Sequence, residues 1–279
     1  MTVVADVIVN EPAAPDALLR VDGLTKVYGD RTAVDHVTFD LPRGRSLAVV
    51  GESGSGKSTL AKMIVGLEAP TSGSIWACGA DRSTPATRSQ ERRTRGRQVQ
   101  IVFQDPYSSL DRRQSGAQAL DEVLRLHHDY DADYRRARVT ELAALVGLDE
   151  RQMSVRPKAL SGGQRQRIAI ARALAAEPQL IILDESVAAL DVSIQAQVLN
   201  VLMDVRDATG VAYVLISHDL AVVRQITDDT IVMQNGAIVE RGTTERVLDS
   251  PEQDYTRQLR ASVPEPGWTP TRRTTRSTP

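Results

Sequence analysis

Gly51-Glu52-Ser53-Gly54-Ser55-Gly56-Lys57-Ser58-Thr59 follows the pattern G-x-x-x-x-G-K-[ST], and each residue type in it has a task. The glycines let the backbone curl tightly, so that successive N–H groups point inward at phosphate oxygens. A helix beginning at the end of the loop adds its partial positive charge. Lys57 has the reach to meet the outer phosphates, and the Ser58 hydroxyl is a suitable oxygen ligand for Mg²⁺. The stretch therefore predicts binding of a nucleoside triphosphate.

A second chemical signal is the run Leu180-Ile181-Ile182-Leu183-Asp184-Glu185. A buried strand that ends in two acids presents them at its carboxyl end, where ligands bind in open α/β sheets. One acid is suited to holding Mg²⁺ and the next to taking a proton from an attacking water. A third signal is Leu160-Ser161-Gly162-Gly163-Gln164, which precedes a helical run from Arg165 to Leu174. Ser161 can cap that helix, and the small residues leave backbone N–H groups open to an anion.

These groups need a scaffold, and the hydrophobic periodicity supplies one. Ser46 to Val50 reads as a buried strand and Leu60 to Val65 as a helix, so the phosphate loop sits where a strand turns into a helix. Leu18 to Val21, Ala33 to Phe39 and Ser74 to Cys78 are short strand-like runs with turns between them, as in an antiparallel sheet. Val99 to Phe103 is a further strand, ending at Gln104, followed by a loop through Asp105 to Leu110. From Gly116 to Leu148 the pattern is helical, and Gly147 marks a helix end. Residues 180–240 alternate strand and helix, which implies βαβ units and a parallel sheet. Residues 81–97 are rich in arginine, which raises a nucleic-acid or phospholipid contact, but with no interleaved aromatics and with Glu91 interrupting they read rather as a solvated, exposed segment. Residues 1–16 read as a loose leader and 264–279 as a disordered tail.

Composition narrows the class. The 279 residues carry a net charge of −2, 41% hydrophobic and 25% charged residues, an ordinary globular balance with no overall nucleic-acid signature. The lone Cys78 cannot form an internal disulfide, which fits a reducing compartment. No apolar run approaches the ~20 residues that span a bilayer. Work at a membrane would require a partner.

The loop, the pentapeptide ending 20 residues before Asp184, and the acid pair occur in the order of ATP-binding-cassette (ABC) ATPases. The chain resembles that family from roughly Leu18 to Ala261. The resemblance implies a P-loop ATPase core with a parallel sheet, an antiparallel β subdomain and an α-helical subdomain at about residues 105–175, within a domain spanning 17–263. It also implies roles. Gly51 to Thr59 bind ATP, Tyr28 stacks on adenine, and Ser161, Gly162, Gly163, Gln164 and Asp191 act across a dimer. Ser58, Gln104 and Asp184 serve Mg²⁺, and Glu185, His218 and Gln104 serve hydrolysis. From the residues alone, Asp191 is equally an N-cap of the helix that follows it. Because the chain has one loop and one signature, a second cassette is implied, identical or related.

More finely, Phe103 to Leu110, Leu190 to Leu199 and Ser250 to Leu259 resemble the ATPases of oligopeptide and dipeptide importers. That implies two transmembrane permease subunits, an extracytoplasmic substrate-binding protein acting indirectly, no nucleic-acid partner, and a peripheral place on the cytoplasmic face of the plasma (inner) membrane. Ser186-Val187-Ala188 departs from the subfamily's Pro-Thr-Ser, and Gln253-Asp254 from its His-Pro. Two alternatives stand beside this reading. One is an accessory ATPase of a phosphonate carbon–phosphorus lyase system, bound to soluble subunits. The other is a DNA-repair type of ABC ATPase, which would need coiled-coil or zinc insertions; neither heptads nor cysteine clusters occur in the sequence.

Overall fold

The structure, a computed structural model, describes residues 17–105, 109–186 and 191–261. The expected leader and tail, residues 106–108 of the loop after Gln104, and Val187, Ala188 and Leu190 lie outside the described residues.

The chain opens with a long hairpin, β1 (Ala17–Tyr28) against β2 (Arg31–Pro42). With β4 (Ser72–Ala77) and β5 (Ala80–Asp81) it forms a four-stranded antiparallel sheet in the order β2-β1-β4-β5. Leu19, Val21, Leu24, Val37, Phe39 and Leu41 alternate with exposed or half-exposed residues and bury one face, as a half-covered sheet requires.

The second sheet is six-stranded, in the order β10-β9-β3-β8-β7-β6. It comprises β3 (Leu47–Val50), β6 (Val99–Val102), β7 (Leu180–Asp184), β8 (Ala212–Ile216), β9 (Asp229–Gln234) and β10 (Ala237–Thr243). All neighbours run parallel except the β9–β10 hairpin. The central strands are buried on both faces, which is why they read as unbroken apolar runs. Leu180 and Ile182 face the antiparallel sheet together with α1 (Lys57–Val65); Ile181 and Leu183 face the opposite core. That opposite core is closed by α6 (Gly162–Leu174), α7 (Val192–Thr209) and α8 (Leu220–Ile226).

Helices α3 (Gly116–His127), α4 (Ala132–Leu145), α5 (Glu150–Ser154) and α6 pack on one another through Leu120, Leu124, Leu142, Met153 and Ile168. The continuous helical reading of 116–148 thus resolves into two helices, separated where Asp131 caps α4 by accepting the Tyr134 N–H. Gly147 takes a left-handed φ of +66° just past α4, and the Leu148 N–H closes the helix end on Ala143 O. Helices α9 (Thr244–Asp249) and α10 (Asp254–Ala261) complete the described chain. Among the described residues no helix is long and apolar enough to cross a membrane.

Residues 81–97 are largely exposed, as the sequence predicts, but they are ordered and carry one buried exception. Helix α2 (Ser89–Gln98) occupies most of this stretch, and Arg82 is buried. Its guanidinium donates to Gln98 Oε1 at 2.7 Å, Arg95 O at 3.1 Å and Ala77 O at 3.4 Å. Arg95 reaches back to Thr84 O and Asp81 O. A helix with no buried residue of its own is therefore held by arginine-to-carbonyl bonds, which hydrophobic periodicity does not report.

Candidate nucleotide site

Four strand ends carry the site. The loop Gly51–Gly56 leaves the carboxyl end of β3, Gln104 follows β6, Asp184 and Glu185 end β7, and Ser217-His218 follow β8. These strands lie side by side and parallel in the sheet. Residues as far apart as Gln104 and His218 therefore emerge on one edge, the edge where open parallel sheets bind ligands.

The loop is fixed by close approach. Gly51 has φ +148°, and a Cβ there would sit 2.2 Å from Met233 O; a Cβ on Gly56 (φ +104°) would sit 2.3 Å from Ala33 O. Only glycine fits where backbone presses on backbone. Gly56 then starts α1, whose first turn holds Lys57, Ser58 and Thr59.

Lys57 is buried, and its ammonium donates to Gly51 O at 2.8 Å, Glu52 O at 2.7 Å and Ser55 Oγ at 3.3 Å. Burial lowers its pKa, against the opposing pull of Glu185, Asp184 and Glu52. All three ammonium protons are thus held by the loop.

Asp184 accepts a 3.1 Å hydrogen bond from Ser58 Oγ. Burial pushes its carboxyl pKa up and the neighbouring Glu185 adds to this, while the Ser58 bond, Lys62 and Lys57 draw it down. Glu185 is reached from two sides: Gln104 Nε2 donates to its Oε2 at 3.0 Å, and His218 Nδ1 lies 3.8 Å from its Oε1. Glu185 has a left-handed φ of +47°, and its N–H is held by Ile216 O at 3.0 Å. A non-glycine residue in that region is strained by about 1–3 kcal/mol, a feature that recurs at working sites.

Tyr28, Arg31, Ala33, Ser53, Gly54, Gly56, Lys57, Ser58, Thr59 and Glu185 line a cleft of about 390 Å³. Tyr28 is 45% exposed at its mouth, with the Lys26 ammonium 4.8 Å from the ring centre. Arg31 donates to Gly54 O at 3.4 Å, a loop contact with no motif signal in the sequence.

The signature residues are elsewhere. None of Ser161 to Gln164 lines this cleft. Ser161 caps α6 reciprocally: Gln164 N–H donates to Ser161 Oγ and Ser161 N–H to Gln164 Oε1. Gly163 faces α7, where a Cβ would meet Ile194 Cγ2 at 2.4 Å. Asp191 stands at the N-cap position of α7, exposed, and its carbonyl accepts the Ile194 and Gln195 N–H groups. It is thus the N-cap by position, though its side chain makes no cap bond.

One residue of this site escaped the sequence. Tyr255 of α10 accepts the Glu52 N–H at 2.9 Å, and no signal links positions 203 residues apart.

The ABC transporter family profile matches residues 34–188. The chain is 42% identical to the dipeptide transport ATP-binding protein DppF of Haemophilus influenzae over 265 residues, 91% of this chain and 80% of that protein. It is 45% identical to the oligopeptide transport ATP-binding protein OppD of Mycobacterium tuberculosis over 243 residues, 87% of this chain but 39% of that longer protein. Among solved structures, the dimeric post-hydrolysis state of the ATP-binding cassette MJ0796 bound to ADP and phosphate superposes with a TM-score of 0.73 at 27% identity, covering 81% of this chain and 98% of that one.

Proposed function

The chain belongs to the ABC transporter family of ATP-binding cassettes, and from that footing we propose that it hydrolyses ATP to drive peptide import, as the nucleotide-binding subunit of a membrane complex. The observation that carries the reading is the convergence of Gln104 and His218 on Glu185, on the same sheet edge as the phosphate loop.

In this reading the Tyr28 ring offers its face to adenine. The N–H groups of the loop and the first turn of α1 surround the phosphates, with the Lys57 ammonium among them. The Ser58 hydroxyl and Asp184 carboxylate form a pair of hard oxygen donors that fits Mg²⁺, and Gln104 is the nearby amide oxygen. Held there, a divalent ion would neutralise developing phosphate charge. Glu185 takes the proton of the attacking water, Gln104 orients its carboxylate, and the His218 ring is available to the γ-phosphate.

Among the described residues, Ser161 to Gln164 lie outside the cleft and do not cover it. The missing half comes from the signature of a second cassette, bound face to face across two nucleotides. The dimeric arrangement of MJ0796 supports this reading. The peptide class rests on the relatives' names, oligopeptide for OppD and dipeptide for DppF, and implies two permease subunits above the dimer at the cytoplasmic face of the membrane.

Three measurements test it. The tagged chain should co-purify with two polytopic membrane proteins, and its ATPase in liposomes should rise with a peptide-loaded extracytoplasmic binding protein. Recovery with soluble enzyme subunits alone would overturn the transport role. Lys57→Ala should weaken ATP binding more than tenfold by titration; wild-type affinity there would overturn the phosphate-loop assignment.

A further inference from the structure

The Gly51–Glu52 peptide is gripped from both sides. Its carbonyl, Gly51 O, accepts from the Lys57 ammonium at 2.8 Å, and its N–H, on Glu52, donates to the Tyr255 phenol oxygen at 2.9 Å. The next carbonyl, Glu52 O, also accepts from Lys57 at 2.7 Å. Gly51 itself packs closely on Met233 O, where a Cβ would have no room. Rotation would carry Gly51 O away from the lysine, and the phenol opposes it.

Tyr255 is itself well placed to hold a position. Helix α10 buries Thr256 and Leu259. The loop before it is tied down by the Glu240 carboxylate, which accepts the Glu252 and Gln253 N–H groups at 2.8 and 3.2 Å. Arg257 returns from the helix to Pro251 O and Glu252 O. A continuous run of contacts thus leads from β10 through α10 to the peptide that seats the lysine.

We propose that Tyr255 is a positioning residue for nucleotide binding: its phenol oxygen orients the Gly51–Glu52 peptide so that both loop carbonyls hold the Lys57 ammonium where phosphate meets it. The inference rests on the nucleotide-site reading above. Glu52 is exposed, so its N–H turns to water when the phenol is lost, and the fold loses little. The loss falls on the lysine's placement instead.

The test uses the full chain with Tyr255→Phe and, as a neighbour on the same helix, Thr256→Val, whose buried hydroxyl has no partner to lose. ATP affinity is measured by titration calorimetry, KM and kcat by phosphate release, and the unfolding temperature without nucleotide. Tyr255→Phe should weaken ATP binding about 3- to 10-fold, the worth of one hydrogen bond, raise KM in step, and leave kcat within about twofold and the unfolding temperature in place. Thr256→Val should bind as wild type. Wild-type affinity in Tyr255→Phe overturns the proposal. So does an affinity loss matched by Thr256→Val or by a fall in unfolding temperature, since that marks general destabilisation. Failure of the wild-type chain to bind ATP would overturn the nucleotide-site reading and this inference together, whereas tight wild-type binding with an unaffected Tyr255→Phe removes the inference alone.

Discussion

Asp184 is held against its own chemistry. Burial favours its neutral form, and the Ser58 hydroxyl and two lysines only partly offset that. A carboxyl whose folded-state pKa is raised contributes stability below its unfolded pKa and loses it as pH rises through the folded one. Above that titration the ionised Asp184 is therefore a cost to the fold. Asp184→Asn should stabilise the chain without nucleotide by roughly 0.5–1 kcal/mol at pH 7, in the manner of active-site substitutions generally. The gain should shrink as pH falls toward the carboxyl's own titration, because the wild-type group then becomes neutral too. Denaturant melts at pH 7 and pH 4 read this directly, and a destabilised variant at pH 7 would contradict it. The same variant should lose magnesium-dependent ATP binding, since the amide keeps an oxygen for Ser58 but not the charge. Residue types at this scale were legible because they are contiguous: Gly51 to Thr59 and Asp184-Glu185 announce their chemistry within single stretches. The aim of each side chain was not. That Gln104 and His218 both turn toward Glu185 depends on strand order, and the left-handed backbone at Glu185 leaves no mark on residue type.

Elements show the same division for a different reason. The parallel strands were readable because burial on both faces demands apolar runs, and α3, α4 and α6 because they bury a stripe. Helix α2 buries nothing, so its sequence of arginines and glutamines carried no period, and its organiser, Arg82, looked like any surface cation. The start of α6 was readable from its cap. There Ser161 serves two purposes, the reciprocal cap now seen and the proposed contact to another subunit's nucleotide. Ser161→Ala separates them. Losing the cap costs about 1 kcal/mol, which in a chain of this size lowers the unfolding temperature by roughly 2–4 °C. If the hydroxyl also reaches nucleotide across a dimer, ATP-driven association should weaken beyond that fold cost, while ATP binding to the single chain stays intact. Calorimetric melting set beside sedimentation with ATP distinguishes the two; a full loss of ATP binding by the single chain would place Ser161 in the wrong half of the site.

At the scale of the whole molecule, the proposed function has a chain with one phosphate loop and one signature, which do not meet among the described residues, close its sites in pairs. Two copies related by a two-fold axis satisfy both at once, because each lends its signature to the other's loop. In that proposal the interface would contain the nucleotide, so that ATP would act as its adhesive and hydrolysis as its release. Glu185→Gln isolates the closed state. The amide keeps an oxygen for Gln104 to donate to but cannot accept the water's proton. With ATP and magnesium the variant should sediment as a stable dimer carrying two nucleotides, while wild type at the same concentration returns to monomer as ATP is consumed. Adding Lys57→Ala to the variant should abolish the dimer, because the phosphates lose their anchor before the signature can meet them. A Glu185→Gln chain that turns over ATP at the wild-type rate would remove Glu185 as the base. One that binds ATP and stays monomeric would mean that the partner is a different cassette, and mixing with that relative should then restore the dimer with the same two-nucleotide stoichiometry.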